Sequence, residues 1–186
     1  MKNTLEREGK VINHTKIEKL EVREIYKGHE VAVHTLTHPN LTKLDEREII
    51  RQVEKDRENL ESSVGYNVVG MAYPCGGVNN NDDVANIIKN NTSIKYSRTI
   101  TSTHSFDLQK NLLRFNPTVY HQEWGAMFQL AETFIHLEAN KPQIFYIWGH
   151  SYKLDIDNSW DCFEEFCRFV SKKNDVFYGT NREILL

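Results

Sequence analysis

From residue 17 onward, amphipathic helical segments alternate with short apolar runs, and this alternation constrains the fold more than any other property. "IEKLEVREIYKG" reads as a helix closed by Gly28, a residue suited to the left-handed position after a helix. "EVAVH" follows as a short buried strand. "LDEREIIRQVEKDRENLESSVG" is the clearest helix: Asp45 and Glu48 supply a start signal, Ile49, Val53 and Leu60 share a face, and Gly65 ends it. "YNVVGMAYP" is a strand stopped by Pro74, "DDVANIIKN" a helix, "IKYSRTI" a strand and "LLRFNP" a short strand. "EWGAMFQLAETFIHLEA" and "WDCFEEFCRFVSK" are helices on either side of the apolar strand "QIFYIWGH", and "DVFYGT" is a last strand. Apolar strands between amphipathic helices imply an α/β fold with a mainly parallel sheet covered by helices. In such sheets chemistry gathers at the carboxyl ends of the strands. Three strand ends carry unusual residues: "EVAVH" ends in His34, "VGMAYP" runs into "PCGG", and "FYIWGH" ends in His150.

Composition narrows the function classes. A chain of 186 residues is the size of one ordinary domain and can bury a sizeable core, so residues 1–186 are expected to form a single domain. Residues 1–16 are polar enough to stay poorly ordered. The formal net charge of −3 argues against nucleic acid as the main partner. No apolar run approaches the length of a membrane span, and the start "MKNTLEREGKVINHTK" lacks the apolar core of a signal peptide, so the chain as written is expected in the cytoplasm. Cys75, Cys162 and Cys167 read as reduced thiols, and the spacing of the last two matches neither a zinc ribbon nor a thioredoxin motif.

The histidines carry the chemical signal. His34 and His38 lie four residues apart in "VAVHTLTHPN", where a strand ends and a proline follows. Neutral imidazole is a common zinc ligand, and two on one short segment offer two corners of a tetrahedron. By spacing alone, two loop histidines making ordinary hydrogen bonds explain the pattern better. The strand-end placement shifts the balance toward a metal. His150, in "WGHSY", is either a satisfied core histidine or a general acid or base. His29 fits a structural turn, and His14, His104, His121 and His136 fall in polar or helical surroundings. "NDD" at Asn81–Asp83 immediately precedes "VANIIKN", where helix capping and dipole complementarity explain it without catalysis.

These segments together resemble the polysaccharide deacetylase family of carbohydrate esterases. "GHEVAVHTLTHPNL" resembles the family's second motif, "MAYPCGG" its third and "IFYIWGHSY" its last, in matching order from about Tyr26 to the C-terminus. The resemblance implies a distorted, incomplete (β/α) barrel and a hydrolase that removes acetyl groups from N- or O-acetylated carbohydrate. It implies a divalent metal, zinc in most relatives, held by His34 and His38, with His150 as the general acid. Pro74 and Gly76 match the groove-forming third motif. Arg114 is a candidate to orient a carboxylate or bind substrate, with a surface or core-edge role equally open. Trp148 and Tyr152 are candidates to stack on a sugar, although most aromatic residues here should be core.

The sequence also departs from the family pattern. Ala72 stands where the third motif usually has arginine, and Cys75 where it usually has an aromatic residue. The first motif supplies an aspartate base and an aspartate ligand, yet no aspartate occurs before Asp45. The sequence therefore reads as a deacetylase lacking its first strand or two, expected to be inactive or weak alone, and either less stable than its parent or hiding an open sheet edge by self-association. A non-catalytic remnant that binds a glycan or a protein is the alternative, and an amidase on a small non-sugar substrate is another.

Overall fold

A computed structural model describes residues 2–15 and 17–186, with the side chains of residues 2–5 and 13–15 also outside the description. His14 is one of these, so its side chain lies outside the described residues. The chain divides into two compact units, one of Met1–Glu18, Ser102–Leu108 and Thr118–Phe177, the other of Lys19–Thr101, Gln109–Pro117 and Tyr178–Leu186.

In the second unit, the α2 helix (Glu46–Val64) forms where the sequence predicts it. The Asp45 side chain accepts from Glu48 N at its start, and Gly65 ends it at φ 78°. Its apolar face, Ile49, Val53 and Val64, packs into a core with Val33, Met71, Tyr73 and the buried side of the α3 helix (Asp82–Asn91). Asn81 caps α3 by accepting from Val84 N. Against these helices lie short parallel segments in chain order. Val33 bridges to Met71 in β3 (Gly70–Ala72), β3 pairs in parallel with β4 (Tyr96–Arg98), and Arg98 bridges to Phe115. Gly70 is required here, because a Cβ would run into the Tyr96 ring.

In the first unit, β1 (Lys2–Arg7) and β2 (Lys10–Thr15) pair as an antiparallel hairpin, where the sequence carries no clear strand signal. β5 (Val119–Tyr120) runs parallel to β6 (Ile147–Trp148). The α4 helix (Trp124–Ile135) and the α6 helix (Trp160–Val170) enclose Val119, Met127, Ala131 and Phe166, with Phe128 edge-on to Phe166 at 5.2 Å. The short α5 helix (Ser151–Ile156) follows β6 directly.

The fold is thus mixed α/β with short parallel pairings. No closed barrel forms among the described residues, whose strands pair two by two. Other expectations are revised locally. Only Val22–Ile25 of the first predicted helix is helical (α1), because no residue there is fully buried and Val22 alone packs against the core, too little to hold a long helix. "EVAVH" contributes one bridge rather than a strand, since the chain turns at Thr35 with φ 71°. "LLR" is a 3₁₀ turn over Leu112–Arg114, with Phe115 carrying the bridge. "DVFYGT" is irregular, with Phe177 and Tyr178 exposed, and leads into the α7 helix (Asn181–Leu185) through a capping box of Thr180 and Glu183. β5 carries no strand signal in the sequence: only Val119 of its pair is fully buried, and its apolar run is too short to read as a strand.

Candidate metal site and candidate acid

The segment bearing His34 and His38 is held in place by the α2 helix. Asp56 and Gln52, one turn apart on α2, both face this loop. The His34 backbone N–H donates to Asp56 Oδ2 at 2.8 Å. The buried Gln52 side chain accepts from Thr37 N at 2.9 Å and donates to Thr37 Oγ1 at 2.9 Å and Glu48 Oε1 at 3.0 Å. Leu36 N donates to the Gln52 carbonyl at 3.0 Å. A β3 carbonyl then orients the first imidazole, with His34 Nδ1 2.8 Å from Ala72 O. A carbonyl oxygen only accepts, so Nδ1 carries the proton and Nε2 carries the lone pair. Burial is the main influence lowering the pKa of His34, with the nearby His38 and Arg98 adding to it and the Ala72 bond opposing it. The ring is therefore neutral at neutral pH, the form that binds metals.

The His38 ring lies edge-on to His34, with centroids 4.9 Å apart. Thr35, His38 and Cys75 all hold left-handed backbone, at φ 71°, 58° and 66°. Two imidazoles, one of them fixed with a lone pair on Nε2, fit two corners of a zinc site. Among the described residues no three His, Cys, Asp or Glu side chains gather as a metal cage. Pro74 is buried, with its carbonyl accepting from Asn79 Nδ2 at 2.9 Å, while Gly76 is exposed with open space where a Cβ would stand. The Arg114 guanidinium is engaged by Asn80 Oδ1 at 2.9 Å and Asp82 Oδ1 at 2.6 Å, the contacts of an arginine that ties a loop to the start of α3.

The first unit holds the other candidates together. His150 is exposed at the end of β6, where its backbone caps α5. Aromatic rings surround it: Tyr152 at 5.1 Å, Trp148 at 5.7 Å and Tyr120 at 6.5 Å between centroids. Beneath this end of the strand, the buried His121 ring stacks on Tyr120 at 4.9 Å and on Trp124 at 6.1 Å. Burial lowers the pKa of His121. A Cβ at Gly149 would run into this ring, so the glycine before His150 is required by packing.

Sequence reasoning missed Gln52, Asp56, the Ala72 carbonyl and His121. A signal existed for one of them, since Gln52 is a polar residue beside Val53 on the buried face of a helix.

Residues 8–93 match the family model for polysaccharide deacetylase. The chain carries a polysaccharide deacetylase family domain. Over 57 residues it is 37% identical to the peptidoglycan-N-acetylglucosamine deacetylase PgdA of Listeria monocytogenes serotype 1/2a (strain 10403S), a match covering 31% of this chain and 12% of that protein. Over 58 residues it is 33% identical to the peptidoglycan-N-acetylmuramic acid deacetylase PdaC of Bacillus subtilis (strain 168), again covering 31% and 12%. The match thus spans about an eighth of the length of these relatives. Among solved structures, the wild-type CE4 family pseudoenzyme BA3943 from Bacillus anthracis aligns with a TM-score of 0.52 at 17% identity, covering 84% of this chain and 46% of that one. A mutant of BA3943 with restored enzymatic activity aligns with a TM-score of 0.51 at 17% identity, covering 84% and 48%. At this identity the likeness concerns the fold.

Proposed function

We propose that this deacetylase domain is the metal-binding part of a hydrolase that removes acetyl groups from N- or O-acetylated carbohydrate, on a distorted and incomplete barrel. The observation that carries the reading is His34, whose Nδ1 is tied to the Ala72 carbonyl so that Nε2 offers its lone pair beside His38. A bound divalent ion, zinc in this reading, supplies Lewis-acid polarisation of the acetyl carbonyl and a water of lowered pKa. His34 and His38 hold that ion, with further donors outside this pair. His150, exposed at the end of its strand, donates the proton to the departing amine or alkoxide, a role typically worth about 10²–10⁴-fold. Trp148 and Tyr152 offer apolar ring faces to a sugar beside that acid. The names of PgdA and PdaC support an acetylated glycan as the substrate class.

A second reading, a non-catalytic glycan- or protein-binding domain, is supported by the likeness to a pseudoenzyme and by Ala72 at the position of the motif arginine. One experiment separates the two. Zinc content is measured for the chain and for the His34→Ala/His38→Ala double variant, and acetate release is assayed on N-acetylated chito-oligomers. Zinc retained only by the unmodified chain supports the metal site, and equal content in both refutes it. Zinc bound without acetate release favours the second reading.

A further inference from the structure

Cys75 reaches back to His38 from the loop after β3. Its Sγ lies 3.4 Å from the His38 carbonyl oxygen and 3.8 Å from His38 Nδ1. With both contacts made as hydrogen bonds at once, one proton arrangement satisfies them. The carbonyl oxygen can only accept, so the thiol S–H points to it. Sulfur then faces the ring with lone pairs alone, and the ring nitrogen must supply the proton: Nδ1–H donates to Sγ. In that arrangement His38 takes the tautomer that Ala72 O imposes on His34, with the lone pair on Nε2. The sulfur sits on the Nδ1 side of the ring, away from the nitrogen left free to bind.

We propose that Cys75 is a positioning residue, its thiol clasping His38 between backbone and ring so that both histidines present Nε2 to one divalent transition metal. The inference rests on the metal reading above, and it adds a role for a residue that holds no metal itself. A group of this kind orients the ligand and fixes its proton, and loss of such a partner typically costs about 10–100-fold in metal affinity. Serine can make the same two contacts, since its hydroxyl both donates and accepts. Alanine can make neither, which frees the ring to take the Nε2–H form that neutral histidine favours in water.

Three measurements test the clasp on the unmodified chain, Cys75→Ser and Cys75→Ala. Nitrogen-15 spectra of the metal-free histidines report the tautomer: His38 is expected as Nδ1–H in the first two and mainly as Nε2–H in Cys75→Ala. Zinc titration is expected to show affinity lowered about 10–100-fold in Cys75→Ala and largely restored in Cys75→Ser. Cobalt substitution is expected to show no thiolate-to-metal charge-transfer band. An unchanged His38 tautomer in Cys75→Ala overturns the clasp, as does a thiolate band, which would make Cys75 a ligand. Unchanged zinc affinity in Cys75→Ala overturns its bearing on the metal. Failure of the metal reading looks different: the unmodified chain then takes no zinc, while the metal-free tautomer spectra still decide the clasp.

Discussion

Replacing Gln52 with alanine should loosen the histidine loop from below without touching either imidazole. The Gln52 side chain makes three contacts of 2.9–3.0 Å, two to Thr37 and one to Glu48. Each intramolecular hydrogen bond contributes a net of about 0.5–1.5 kcal/mol. Thr37 is exposed, so its N–H and hydroxyl recover water once the amide is gone, and the cost falls toward the lower end of each range. The truncated side chain also leaves a space beside Val53 and beneath Leu36, whose N–H still reaches the residue 52 carbonyl. A total of about 1–3 kcal/mol follows, with the backbone bond as the remaining tether. For a chain of this length, 1 kcal/mol shifts the melting temperature by about 2–4 °C. Thermal unfolding should therefore move down by several degrees, and zinc affinity should fall with it as the loop loses its fixed geometry. Gln52→Glu should fall between, since its carboxylate keeps the bond from Thr37 N but faces Glu48. A Gln52→Ala chain that melts and binds zinc like the unmodified protein would refute the idea that α2 sets the loop.

Two further outcomes are expected. His34 and His121 both have pKa values lowered mainly by burial, below the value of about 6.5 they take when unfolded. Below that pH the unfolded chain binds protons that the folded chain resists, so the metal-free protein should lose stability as pH falls from about 7 to about 5. Denaturant midpoints across that range should show the slope, His34→Asn should shallow it, and a flat profile would exclude the mechanism. Gly149→Ala forces a methyl group into the His121 ring, which is pinned by Tyr120 and Trp124, and should cost about 1–3 kcal/mol of stability. Unfolding within experimental error of the unmodified chain would show that the stack yields freely.

The sequence was most legible where a local rule and the tertiary structure agree. Helix α2 begins at Asp45 and stops at Gly65 as read, because a side-chain cap and a left-handed glycine need only their immediate neighbours. The α3 start was equally clear, and the acidic residues there serve the helix and Arg114. Val33, β3, β4 and β6 lie in apolar runs that the sequence marks, but their lengths were not legible, and β1, β2 and β5 carry no such signal. Val33 and Phe115 each make a single bridge, because pairing depends on where the partner chain turns away. The histidines stood out by type and position. Their supports did not, since Gln52 and Asp56 reach the loop across 15 and 22 residues of chain and the Ala72 contact involves a backbone atom that no sequence pattern marks.

The left-handed backbone at Thr35, His38 and Cys75 has a consequence for how the two loops that carry them respond to change. A left-handed residue with a Cβ costs roughly 1–2 kcal/mol, and the β-branched Thr35 is the least suited of the three. Glycine at any of them would relax the main chain, so a library screened for folding alone should enrich glycine at 35, 38 and 75. The same library screened for retained zinc should reject it at 38 outright and at 75 by degree, while leaving 35 open. Divergence between the two screens would map, position by position, the tension between durability and chemistry at 38 and 75, where the two demands meet.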